Sequence, residues 1–375
     1  MQYLDFHMSR IGASHERYGL PCQDVSDAWG NDVLSVAVVA DGHGSRRHFR
    51  SGEGARLACE VLRNQVTELP ECAEAAGMEE MLCRLKQSLC TQWRDAVREH
   101  AVRNPWTEAE LAGVKPVLTE AQLERLMDGT DDLIPYGSTL CAVFAWENMW
   151  AAIQLGDGGM AMVDSEGLYT WPMPESLVNE GNRTASLCMA DPMADFRHCF
   201  GTGRPAGLFV YTDGIEKTLP PQSPELASLL NWMLKNTHTA SPAREQNLTR
   251  TLDMLTSRSL SGDDVSAAGL ADPAQEVHDV QISPEAQQRA FVRLRARLEE
   301  IEATLEYNRQ KLEASRPDHE GYDTGTVRQL ETIVMRKEQE KKQLLELMEP
   351  IREACGSVQT GRSGAEDPET RKVME

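Results

Sequence analysis

Short apolar runs that stop abruptly at an acid and a glycine organise the first two-thirds of the chain. Ser35-Val36-Ala37-Val38-Val39-Ala40 shows no polar alternation, which predicts a strand buried on both faces, and it stops at Asp41-Gly42-His43-Gly44. Leu208-Phe209-Val210-Tyr211-Thr212 repeats the design before Asp213-Gly214 and a helix-like continuation. Further strands are predicted at 2–8, at 136–145 paired as a hairpin with 149–155, and at 160–164 and 167–171 around Ser165-Glu166-Gly167. Helical spacing predicts core-facing helices over 52–69 (Ala55, Ala58, Cys59, Leu62, Val66) and 78–102 (Met81, Leu82, Leu85, Leu89, Trp93). The polar, proline-punctuated stretch 104–135 reads as an insertion over one face, a lid or more simply a connector, with one short helix at 119–127, capped by Thr119. Loop character follows over 177–198, then a helical segment over 220–256.

After Asp272-Pro273 the periodicity changes. Phe291, Leu294, Leu298, Ile301, Leu305 and Leu312 recur at the spacing of a coiled-coil seam. Pro317, Gly321 and Gly325 break it, and it resumes at Val327, Leu330, Val334, Leu344, Met348 and Ile351, interrupted by Lys337 and Lys341. Two such helices predict an antiparallel hairpin that buries little by itself, so residues 285–351 are expected to meet another surface, a partner protein or a second copy. The expected organisation is a domain over 1–272, a helical coiled-coil hairpin over 284–352 and a polar, disordered tail over 356–375.

Composition narrows the function classes. A formal net charge of -21 over 375 residues argues against nucleic acid as a partner, because phosphate backbones would be repelled. The nine cysteines form no C-x-x-C pair, which argues against a zinc knuckle and fits reduced, buried thiols. No signal-like start and no membrane-length apolar run is visible, so a soluble, cytoplasmic protein without membrane attachment is expected.

The chemistry lies in the acids at the strand ends. Asp41, Asp213, Asp157 in Gly156-Asp157-Gly158 and Asp263-Asp264 are far apart in sequence, yet each follows an apolar strand or lies in a loop that a sheet can gather. Carboxylates beside glycines, whose backbone can approach a ligand closely, suit hard divalent cations such as magnesium or manganese. No C-x5-R loop supplies a cysteine nucleophile. Read alone, any one of these Asp-Gly pairs is equally a tight turn.

Their order is more specific. Gln23-Asp24, Asp41-Gly42-His43-Gly44, Gly137-Ser138-Thr139, Gly156-Asp157-Gly158, Asp213-Gly214 and Asp263-Asp264 together resemble the metal-dependent type-2C Ser/Thr protein phosphatases, in a bacterial branch. The resemblance implies an α+β fold, an αββα sandwich of two antiparallel sheets flanked by helices, here followed by the helical hairpin. It implies hydrolysis of phosphoserine or phosphothreonine by a water activated between two Mn²⁺ or Mg²⁺ ions, in signalling opposite a Ser/Thr kinase. By carry-over, Asp41 bridges the metals, the Gly42 carbonyl helps bind one, and Asp213 and Asp263 complete the other. Asp24 serves as ligand or outer acceptor, and Asp157 either holds a weaker third metal or forms a hairpin turn. His43 acts as a general acid or as a hydrogen-bonding loop residue. Gln23 departs from the family, which has Glu there. The arginine that holds the substrate phosphate has no clear counterpart, which leaves His15 or Arg17 for that role. A second reading keeps the fold as a weakly active or inactive binding module that works through its hairpin.

Overall fold

The computed structural model describes residues 2–66, 75–130, 132–176, 184–239, 243–259, 261–314 and 324–362. It divides into two units, one of residues 1–218 and 228–281, the other of 219–227 and 282–375.

The first unit is built on two antiparallel sheets. Strands β1 (Leu4–Arg10), β2 (Val25–Gly30) and β3 (Leu34–Ala40) come first, and β4 (Leu140–Trp146), β5 (Met149–Leu155), β6 (Gly159–Val163) and β7 (Leu168–Thr170) follow. The set ends with β8 (Arg197–Thr202), β9 (Gly207–Tyr211), β10 (Val265–Ala271) and the two-residue β11 (Gln281–Ile282). One sheet has the order β2-β3-β4-β5-β8 and the other β1-β10-β9-β6-β7-β11. Between them lies a core of Ala37 and Val39 from β3, Cys141 and Val143 from β4, Leu208 and Val210 from β9, and Ala268 and Leu270 from β10. The alternate residues of β3, Val36, Val38 and Ala40, pack instead with α2 (Ser51–Gln65) and α3 (Ala75–Arg103). Strand β3 is therefore buried on both faces, as its unbroken apolar run predicts.

The outer face of the second sheet carries Phe6 and Phe209, with ring centroids 6.3 Å apart, and Tyr169, whose hydroxyl donates to Asn231 on α7 (Pro224–His238) at 3.2 Å. Helix α8 (Arg244–Arg258) lies along β1, where Arg10 pairs with Asp253 at 2.6 Å. Helices outside, sheets inside: the expected αββα sandwich is the architecture of this unit.

Several elements differ from the sequence reading. Strands β2 and β8 are absent from it because every residue of β2, and most of β8, is only half-buried, so neither shows an apolar run. Residues 13–18, for which the sequence pattern predicts no regular element, form α1 (Ala13–Tyr18), closed by Gly19 in the left-handed region at φ 65°. The 104–135 stretch holds two helices instead of one. Thr107 caps α4 (Glu108–Val114) and Thr119 caps α5 (Glu120–Met127), each in a reciprocal capping box. Residues 177–183 of the expected loop lie outside the described residues, and its end belongs to β8.

In the second unit, α9 (Pro284–Ala314) and α10 (Thr324–Arg362) run antiparallel. Ala290, Phe291 and Leu294 meet Leu344 and Met348, and the ion pairs Arg297–Glu340 (2.7 Å) and Lys341–Glu302 (2.6 Å) cross between the helices. Helix α10 continues through 356–362, residues assigned above to the tail, while 363–375 lie outside the described residues. Among the described residues no helix is long and apolar enough to cross a membrane.

Candidate active site

The ends of β3, β5 and β9 and the loop before β10 deliver their acids to one place. Burial first, and then the charges of Asp24, Asp213, Asp263 and Asp157, push the Asp41 carboxyl well above its usual range. Asp24 is raised in the same way, by burial and by Asp264 and Asp263, against a hydrogen bond that its Oδ2 accepts from Thr212 Oγ1 at 2.7 Å. Asp213, at the start of the one-turn α6 (Asp213–Glu216), is raised to about 6 by burial and by Asp157 and Asp263, against the nearby Lys217. Like charges of this density are stable only with compensating positive charge. The structure thus brings together every acid that the sequence singled out.

The loop after β3 is shaped by close approach. A Cβ on Gly42 would stand 2.7 Å from the carbonyl carbon of Ser51 and 2.8 Å from the Gln23 oxygen, so only glycine fits. The Gly42 amide donates to the Gln23 carbonyl at 3.2 Å, and the Asp41 amide donates to Thr139 Oγ1 at 3.0 Å. Thr139 therefore fixes the backbone of Asp41. Asp157 Oδ2 accepts from Thr184 Oγ1 at 2.6 Å.

His43 packs edge-on against His48, with ring centroids 4.8 Å apart. Burial lowers the pKa of both; His48, with His43 and Arg47 also acting on it, falls to about 4. Both imidazoles are thus neutral at neutral pH.

The residues suggested for substrate phosphate divide. His15 Nδ1 donates to Asp264, 2.9 Å from each of its oxygens, and the ring lies beside Gly44 at the edge of the acid cluster. Arg17 is exposed on α1, and among the described residues no contact joins it to the cluster. Gln23 does not face the acids. Its Oε1 accepts from Ser51 Oγ at 2.8 Å and from the Gly52 amide at 2.9 Å, at the N-terminus of α2.

Two further residues organise the site: Asp264, which the sequence already sets beside Asp263, and Lys217, which sequence reasoning missed. Asp264 is buried and accepts the Gly12 amide (2.7 Å), the Gln23 amide (2.6 Å) and His15, tying the loop before β2 to the one before β10. Lys217 places its ammonium 2.6 Å from Asp213 Oδ2 and 2.5 Å from Asp263 Oδ2. Burial opposes its charge, but the two carboxylates outweigh it and hold the lysine above its ordinary range. Neither role carries a sequence signal beyond an acid next to Asp263 and a cation four residues after Asp213.

The donor set fits a hard divalent cation. It consists of carboxylates, and Asp213 Oδ1 is buried without any hydrogen-bond partner, an acceptor that an ion can satisfy. Among the described residues, no three acids of this cluster bring an oxygen each within 4.8 Å of one another. A different trio, Glu79, Cys83 and His198, does meet that spacing. There Lys86 donates to His198 Nδ1 at 2.8 Å, so Nε2 carries the proton and donates to Glu79 at 2.9 Å. With an ammonium beside it and its imidazole already engaged, that trio is a satisfied hydrogen-bond chain and a poor cation site.

A two-sheet sandwich gathering strand-end acids around a DGHG loop is the arrangement that the type-2C resemblance implies. The chain matches the family model for protein phosphatase 2C over residues 11–253, and it belongs to that family. Similar solved structures include the S. agalactiae serine/threonine phosphatase, at 15% identity over 72% of this chain and 99% of that one, with a TM-score of 0.47. Stp1 from Staphylococcus aureus is 13% identical over 72% and 96%, with a TM-score of 0.44. The catalytic domain of the phosphatase PstP, solved with 2 manganese ions, is 14% identical over 72% and 98%, again at 0.44. No curated protein matches the chain.

Proposed function

We propose that this protein is an Mg²⁺- or Mn²⁺-dependent phosphatase that hydrolyses phosphoserine or phosphothreonine in proteins, acting opposite a Ser/Thr kinase. The observation that carries this reading is the buried, unpartnered Asp213 Oδ1 within a cluster of mutually repelling acids. Asp41, Asp213 and Asp263, with Asp24 and the Gly42 carbonyl, would hold two divalent ions, and Asp157 a weaker third. Bound there, such ions lower the pKa of water and neutralise phosphoryl charge. The chain's own part is to position these acids: Thr139 holds the Asp41 backbone, Thr212 orients Asp24, and Asp264 joins the loops. His43, at the loop beside Asp41, would serve as a general acid toward the leaving alkoxide or as a hydrogen-bonding loop residue. His15, beside the cluster, suits a contact to substrate phosphate better than Arg17.

The inward-turned Gln23 favours a second reading, a weakly active or inactive binding module. One assay separates the two. Purified protein is given p-nitrophenyl phosphate and a phosphothreonine peptide with Mn²⁺, with Mg²⁺ and with EDTA, beside Asp41→Asn and Asp213→Asn. We expect metal-dependent turnover that falls at least about a hundredfold in both variants. A folded wild type that is inactive with either metal would sink the enzymatic reading.

A further inference from the structure

We propose that Lys217 is a built-in competitor for the divalent cation at the Asp213–Asp263 end of the cluster, so that an ion binds there only by displacing its ammonium. The inference rests on the metal-dependent reading above.

The geometry is that of a salt-bridged counter-ion. Lys217 lies one helical turn after Asp213, and its amide donates to the Asp213 carbonyl at 2.8 Å, so its side chain leaves α6 on the same side as that carboxylate. Its Nζ then spans two acids that are far apart in sequence, at 2.6 and 2.5 Å. Two features mark the place as one a larger charge would take over. Asp213 Oδ1 stays unpartnered, because the ammonium engages only the other oxygen. The acids also stand apart: among the described residues, no three of them bring one oxygen each within 4.8 Å of one another, whereas the ligands of one magnesium or manganese ion, each about 2.1 Å from it, must lie closer than that.

Displacement is feasible on both sides of the exchange. The Lys217 side chain is 40% exposed, so an ammonium that leaves the acids can be solvated at once. A divalent ion brings twice the charge and can accept Asp213 Oδ1 together with Asp263. The consequence is quantitative. Apparent affinity falls by the fraction of molecules in which the lysine is out, so a lysine that is in about nine-tenths of the time weakens binding about tenfold. Metal occupancy of this phosphatase would then follow the free divalent concentration over a higher range than the acids alone would set.

The test is calorimetric titration of Mn²⁺ into metal-free full-length protein: wild type, Lys217→Met and Lys217→Arg. We expect Lys217→Met to bind about tenfold more tightly, and Lys217→Arg to stay within about twofold of wild type. Melting of the EDTA-treated Lys217→Met protein should come at lower temperature than wild type, since the acids lose their counter-charge, while the Mn²⁺-saturated proteins melt alike. Should Lys217→Met fail to fold, Lys217→Gln takes its place with the same expectation. Saturable binding of equal or weaker affinity in the folded variant overturns the competition but leaves the metal site standing. No Mn²⁺ binding in any of the proteins overturns both.

Discussion

At the scale of single residues, the position before Asp24 shows how one atom changes a role. A glutamate there could offer an anionic oxygen to a cation. Gln23 instead spends its oxygen on Ser51 Oγ and the Gly52 amide and donates its Nε2 to the Pro21 carbonyl at 3.2 Å. It acts as a side-chain cap for the start of α2, where backbone amides lack helical partners. Gln23→Ala should therefore lower unfolding stability by about 1–2 kcal/mol, read from urea melts, because two buried donors lose their acceptor. Mn²⁺ affinity should stay within about twofold in the same titration. A large loss of affinity with stability unchanged would mean that Gln23 serves the metal after all.

At the scale of elements, the segment between α3 and β4 is anchored by Arg50, the residue just before α2. Its guanidinium makes a two-pronged pair with Glu110 of α4, at 2.6 and 3.0 Å, and donates to the Asn104 carbonyl at 2.6 Å and to Tyr136 Oη at 3.0 Å. It also lies over the Trp106 ring, 4.4 Å from the centroid. Its side chain is 9% exposed, so these bonds are shielded from water and salt. The pair holds Glu110 down at about 2, burial notwithstanding, through the Arg50 and Thr107 hydrogen bonds. A segment tied in this way, with Arg98 pairing Asp132 as well, behaves as part of the scaffold and not as a free connector. Arg50→Ala should cost about 2–4 kcal/mol by urea denaturation, and Arg50→Lys should recover only part of it, since an ammonium cannot make the bidentate pair. Full stability in Arg50→Ala would show that α4 is held elsewhere.

At the scale of the whole molecule, the acid cluster links folding to pH and to metal. Asp24 and Asp41 are raised well above 3.8, and Asp213 from 3.8 to about 6, so the folded state holds these protons more tightly than the unfolded chain does. The stability they contribute is present below pH 3.8 and is lost as pH rises through about 6. A bound divalent ion removes that penalty by neutralising the same carboxylates. The gain in melting temperature on adding Mg²⁺ or Mn²⁺ over EDTA should thus grow between about pH 5 and pH 7, and it should shrink in Asp213→Asn. A gain independent of pH over that range would place ion binding away from these acids.

Much of this was legible in the chain itself. The all-apolar runs of β3 and β9 require strands buried on both faces, and acids at their ends must then lie at a sheet edge. That reasoning located Asp41 and Asp213, while the sandwich around them was implied by the resemblance that the order of the motifs carries. Thr119 as a helix cap was legible for the same reason, since a cap satisfies amides within a few residues of itself. The edge strands β2 and β8, half-wet along their length, left no such pattern. Contacts across hundreds of residues left none either. Asp264 meeting Gly12 and His15, and Gln23 turning toward Ser51, depend on which loops the two sheets bring together. The sequence by itself determined which residues could carry cation chemistry, because strand burial and turn formation are local. Only the tertiary structure decided which acids share one charge field and which cation stands among them, because electrostatics acts through space and Lys217 reaches Asp263 only once β9 and β10 lie side by side.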